Sequence, residues 1–158
     1  MNSREISTYK KKIIKQLITN PTIVSLLDPK GEFEYPDDLI NTRIFRYGKI
    51  PGTSQEVGAY ITITINSLSP TSKNDLVKNV EVTMRAVCSE ALMNIDGRSE
   101  DRIDLMSSEL DEMFNESYDF GVGYVTLVSN KEYTLNDSYF FRELIFRTMN
   151  LNNRRYGS

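Results

Sequence analysis

Histidine and tryptophan are absent from this chain, and cysteine occurs once, as Cys88. Without histidine there can be no Ser-His-Asp or Cys-His arrangement for nucleophilic catalysis, and no zinc site built from His and Cys. A lone cysteine cannot form a disulfide within the chain, so nothing in the sequence points to secretion. Cys88 reads as a small buried hydrophobe. Long apolar runs are missing too. The start, 1–15, is polar and bears several lysines, so neither a signal peptide nor a membrane span is expected. Neither sign of charge dominates: 19 basic side chains meet 22 acidic ones, for a formal charge of −3. That balance argues against a protein that grips nucleic acid by its phosphates, while leaving room for a surface that DNA merely passes. Phosphate-cradling loops are missing as well. No Gly-Lys-Ser/Thr loop occurs, and Gly121-Val122-Gly123 lacks both the third glycine of a dinucleotide fingerprint and a helix to follow it.

What is present suffices for one core. The chain has 158 residues, 39% hydrophobic and 26% charged, which fits a single globular domain. Its core is expected over about 3–150, with a frayed or extended tail after it. Residues 77–114 stand at the centre. Val80, Val82, Met84, Ala86 and Cys88 alternate with Asn79, Glu81, Thr83 and Arg85, which predicts a strand with one apolar face. A turn follows at Asn94-Ile95-Asp96-Gly97, and a helix is expected from Ser99 onward. Ile103, Met106, Leu110, Met113 and Phe114 fall on one side of that helix, with the carboxylates mostly on the other. Two apolar faces so close in sequence should pack together.

The flanking segments complete the pattern. A first helix opens near Ser3, with Ile6, Tyr9, Ile13, Ile14 and Leu17 as its stripe and Lys11, Lys12 and Lys15 on its solvated side. Asn20-Pro21 suits a cap and first turn for a short second helix that buries Ile23, Leu26 and Leu27, and Asp28-Pro29-Lys30-Gly31 ends it. Residues 31–59 are irregular, with a short strand near 40–47 carrying Ile44 and Phe45, then a loop over 48–58. Residues 60–65 alternate as a strand, and 67–75 form a polar connection. A turn over 115–121 leads to a strand over 122–128, with Val122, Tyr124, Thr126 and Val128 on one face. Residues 129–138 read as a polar turn. The last strand, 139–149, is apolar on both sides: Phe140, Leu144 and Phe146 on one, Phe141, Ile145 and Met149 on the other. The fold class is therefore α+β, a mostly antiparallel β-sheet covered on one face by two main α-helices.

The uncovered sheet face would carry Thr62, Thr64, Glu81, Thr83 and Arg85, a polar surface without strong charge. A last strand with large apolar residues on both sides needs either a second layer within the chain or a neighbouring subunit. Leu105, on the charged back of the helix, reads as a contact residue rather than core. Carboxylates invite an enzyme reading in two places. Glu100, Asp101 and Asp104 gather at the helix start, where the helix dipole explains them better than a metal does. Asp37-Asp38 follows Pro36, but no Glu-x-Lys strand completes a nuclease site. No catalytic, cofactor-binding or metal-ligating residue is assigned. Asn-x-Ser matches at Asn115 and Asn136 read as chance.

The order of elements as a whole resembles the tail terminator (tail completion) proteins of tailed bacteriophages. The carrying features run from the N-terminal helix and the Asn-Pro-Thr-Ile-Val-Ser-Leu-Leu segment through the Tyr35-Pro36 to Ile50-Pro51 approach and the paired central strands. The Gly97-Arg98 turn, the amphipathic helix ending near Phe114 and the closing Tyr139-Phe140-Phe141-Arg142-Glu143-Leu144-Ile145-Phe146 strand complete them. The resemblance implies a small structural virion subunit, not an enzyme, that assembles as a homo-oligomer, a hexameric ring. Such a ring caps the tail tube, stops its elongation and joins it to the neck and head-completion proteins. DNA passes through the channel without sequence-specific binding, and no membrane is involved. On this reading Lys49, Ile50, Ser54, Gln55, Leu105, Phe140, Arg142 and Phe146 are expected at subunit or ring contacts. Another neck component, a small protein-binding module and a carboxylate-metal nuclease are the alternatives.

Overall fold

The alternating strand of the sequence is the middle strand of the sheet. The computed structural model describes residues 3–49, 57–68, 79–118, 120 and 123–148. Among them five strands form one sheet in the order β1-β2-β3-β5-β4. These are β1 Ile44–Phe45, β2 Ala59–Leu68, β3 Asn79–Ser89, β4 Val125–Thr134 and β5 Tyr139–Thr148. Four α-helices accompany them: α1 Ser3–Ile18, α2 Pro21–Leu27, α3 Glu90–Met93 and α4 Arg102–Phe114. A 3-10 turn spans Pro36–Leu39. The α+β class and the mostly antiparallel sheet are as the sequence predicts; β1, parallel to β2, is the exception.

Pleating sorts the side chains into two faces. Ile61 pairs with Ala86, Ile63 with Met84 and Ile65 with Val82 across β2 and β3. Met84 pairs with Leu144 and Val82 with Phe146 across β3 and β5. All of these residues join one buried cluster with Ile13, Leu17, Ile23 and Leu27 of α1 and α2 and with Ile103, Met106, Leu110 and Phe114 of α4. Helix α4 lies over β3, β4 and β5, whereas α1 and α2 contact β2. Phe114 stacks on Phe120 at 4.5 Å between ring centroids, and both meet Phe146. Local signals place the helices. Asn20 caps α2 by accepting from the Ile23 N–H at 3.1 Å, with Pro21 opening the helix. Gly97 takes φ +79° in the turn before α4, a conformation that side chains with a Cβ rarely adopt.

Three expectations need correction. The fourth strand begins at Val125 and runs to Thr134, so most of the stretch expected as a turn is strand. Its far half is an exposed, polar edge, and a register shift between Leu127 and Ser129 breaks the alternation that would mark it. Helix α4 starts at Arg102, after Asp101 as N-cap, not at Ser99. Leu105 is half-buried and packs against the main cluster, because α2 and Ile95 approach the back of α4. The calls on Val122, Met149 and the tail 151–158 lie outside the described residues.

Candidate assembly surface

The sheet face away from the helices is built mainly from β3 and β5. Each strand carries Glu-x-x-x-Arg: Glu81 to Arg85 in β3 and Glu143 to Arg147 in β5. An antiparallel register sets each glutamate opposite the other strand's arginine. Glu81 pairs with Arg147 and Arg85 with Glu143 along the ladder. The Arg85 Nε donates to Glu143 Oε2 at 2.9 Å, and the Arg147 Nε to Glu81 Oε2 at 3.0 Å. Directly opposed charges of this kind stabilise a strand pair modestly and disfavour any register that sets like charges together.

An aromatic floor continues the face. The Arg85 guanidinium lies 5.5 Å from the Phe141 ring centroid, and Tyr133 of β4 stacks on Phe141 at 5.1 Å. Phe45, Tyr60, Val87 and Tyr139 form a second buried cluster beside it, with Leu135 and Phe141 packed against them. Of the apolar residues on the outer side of the last strand, Phe141 thus meets a small second layer within the chain, while Ile145 stays half-buried outside both clusters.

The five residues expected on the polar face all lie on it, though they are not equally open. Thr62 is only 2% exposed. It pairs with Phe45 of β1, and the chain after β1 turns over the sheet. A Cβ at Gly48 would lie 3.6 Å from Thr64 Cγ2 and 3.8 Å from Arg85 Nη1, so this strap passes close above the strands. Lys49 is exposed, with its Nζ 4.5 Å from the Phe45 ring centroid. Thr64, Glu81, Thr83 and Arg85 are half-buried.

The expected contact residues divide. Ile50, Ser54 and Gln55 lie outside the described residues. Phe146 is 0% exposed and has no surface to offer a neighbour, because its side of β5 faces the helices. Phe140 and Arg142 point to that same side and are half-buried. Arg142 donates to Asp104 Oδ1 at 2.5 Å and to Asn130 Oδ1 at 3.3 Å, tying α4 to the β4–β5 hairpin. Sequence reasoning missed Glu143 and Arg147 as members of the outer face. The repeated Glu-x-x-x-Arg spacing was the signal that could have found them.

The carboxylates weighed as metal ligands are dispersed. Asp104 is paired with Arg142, Asp101 stands at the N-cap position of α4, and Asp38 accepts from the Tyr35 N–H at 3.1 Å. Among the described residues no group of three or more His, Cys, Asp or Glu could hold a metal ion. Cys88 is fully buried, and burial pushes its thiol up to about 12. Asn115 accepts from the Leu127 N–H at 2.7 Å, and Asn136 from the Ser138 and Tyr139 N–H groups at 2.8 and 3.0 Å, so both asparagines organise turns. No helix of the described residues is long and apolar enough to cross a membrane.

These features define an α+β protein with helices on one sheet face and a lattice of paired charges on the other. The chain belongs to the YomW family, whose model matches residues 12–148. The family derives from phage genomes and associates the chain with phage. No curated protein and no solved structure matches the chain.

Proposed function

We propose that this protein is a structural subunit of the phage virion, of the tail terminator kind. It forms a homo-oligomeric ring, hexameric as in the family it resembles, at the head-proximal end of the tail tube. The ring ends tube growth and joins the tail to the neck. The observation that carries this reading is the one-sided build of the sheet in a phage-derived family: helices and core behind, a patterned polar face in front. The faintly acidic chain, at −3, suits a channel wall that DNA passes without being held. The reading assigns the protein no catalysis.

Two measurements test it. Light scattering and negative-stain imaging should give a closed ring, alone or with tube ends present. Added to polymerising tube protein, the chain should shorten the tubes and cap one end. A monomer that leaves tube length unchanged overturns the proposal. Metal-dependent nuclease activity lost on Asp101→Ala would replace it with an enzyme.

A further inference from the structure

A cleft of about 500 Å³ opens between α2 and α4, away from the outer sheet face. Its volume lies in the ordinary range for small-ligand pockets. Leu26, Pro29, Ile95 and Leu105 supply apolar wall. Arg102 and Arg98 supply two guanidinium groups. Arg102 is 6% exposed, yet it forms no ion pair among the described residues. Its Nε donates to the Leu92 carbonyl at 2.7 Å and its Nη1 to the Leu26 carbonyl at 3.0 Å. Those bonds satisfy two helix-end carbonyls and leave the rest of the fork, and its full charge, at the cleft. Arg98, exposed at the rim, has no side-chain partner among the described residues.

Each acidic side chain of the cleft already accepts hydrogen bonds from elsewhere in the chain. Asp28 accepts from the Glu32 N–H through Oδ1 at 2.8 Å and from the Phe33 N–H through Oδ2 at 3.1 Å. Glu109 Oε1 accepts from Asn20 Nδ2 at 2.8 Å. The donors left at the cleft are the remaining guanidinium N–H groups of Arg102 and those of Arg98, with the Ser108 hydroxyl adding one more. A buried guanidinium without a carboxylate favours an anion that brings one.

We propose that this cleft binds a small organic carboxylate, its oxygens bridging Arg102 and Arg98 and its apolar body against Leu26, Ile95 and Leu105. A planar fork matches a carboxylate in two bonds, which a point charge cannot do.

The test is a titration of the ¹⁵N-labelled full chain with benzoate at constant ionic strength, followed by NMR. The expected result is a saturable shift of the Arg102 Nε–Hε signal and of amides in α2 and the first half of α4. Arg98→Ala should weaken binding by about tenfold or more, the loss of one charge-assisted bond. Lys131→Ala, which removes an exposed cation on β4, should leave binding unchanged. Arg102→Lys, which retains the charge, should weaken it while the amide spectrum reports whether the fold is intact. Benzyl alcohol at the same concentration should produce no saturable shift. An equal response to benzyl alcohol overturns the proposal, as does equal affinity for inorganic phosphate, binding unchanged in Arg98→Ala, or no shift at all.

Discussion

Two faces of one sheet, one residue apart along every strand, are stabilised by different physics. On the inner face Met84, Leu144 and Phe146 have no exposure and meet only apolar neighbours. Their contribution scales with area withdrawn from water and with the absence of voids. On the outer face Glu81, Arg85, Glu143 and Arg147 keep contact with solvent and are arranged by register. Screened, partly exposed pairs contribute little stability, and the pattern of charge is what they add. The inner face holds the fold together, and the outer face carries a surface a partner could read.

The largest expected effect separates the faces at adjacent residues. Phe146→Ala removes a ring from the Phe114–Phe120–Phe146 group and should cost about 3–5 kcal/mol. Ile145→Ala, half-buried on the other side of the same strand, should cost under about 1.5 kcal/mol. Urea unfolding of both variants measures the difference. Equal losses would mean that the outer face is also a packed core.

Arg102 tests whether a charge can be structural on the helix side. Arg102→Met leaves the Leu26 and Leu92 carbonyls without their donor and should cost about 2–3 kcal/mol. Native-state hydrogen exchange should show α2 opening more often, because the clasp joins its last turn to α4. Arg102→Lys should recover part of the loss through its charge near two helix ends. No effect from Arg102→Met would reduce the clasp to coincidence.

Cys88 offers a pH probe of the inner face. Its thiol rises from 9.0 in the reference state to about 12, chiefly through burial. Below pH 9 both folded and unfolded chains hold the proton, and the stabilising contribution of the site is complete. Between there and about 12 the unfolded chain releases the proton while the folded chain keeps it, so stability falls as pH rises. The slope from this one group approaches about 1.4 kcal/mol per pH unit. Cys88→Ala should flatten the alkaline limb of stability against pH, and thiol-reactive reagents should label Cys88 only when the chain opens. Rapid labelling of the folded protein at neutral pH would contradict the burial.

How far the sequence could be read follows the same division. Alternation reports burial, so β2 and β3 were legible residue by residue. The second half of β4 was not, because an exposed edge leaves no apolar pattern and the shift near Val128 changes its phase. Thr62 looked solvated because the two-residue strand beside it, which sets buried Phe45 against it, is too short for its pattern to announce the pairing. Nothing in the sequence marks Arg102 as buried. Its burial arises from two distant carbonyls, at Leu26 and Leu92, brought together only by the fold. Leu105 and Phe146 were assigned to contacts with neighbours for want of knowing what the chain itself places against them.

The smallest expected effect is the most specific to the outer face. Arg85→Glu sets a glutamate directly opposite Glu143 and should cost about 0.5–1 kcal/mol. Glu143→Arg alone sets an arginine opposite Arg85 and should cost a similar amount. The double variant restores an opposite pair with reversed polarity, so its cost should fall below the sum of the singles. The coupling should shrink in high salt, as it must between groups that water reaches. Phe141 makes the exchange unequal: Arg85 stacks over its ring, and a glutamate there forfeits the cation–π contact. The reversed pair should therefore recover only part of the loss. Reversing Glu81 and Arg147, which meet no aromatic ring among the described residues, should recover nearly all of it. Should both pairs recover alike, the aromatic floor is not part of the charge lattice, and the outer face reduces to two independent surface ion pairs. If the double variants regain stability yet no longer form rings, the polarity of the lattice is what a neighbouring subunit reads, and the division between the two faces holds.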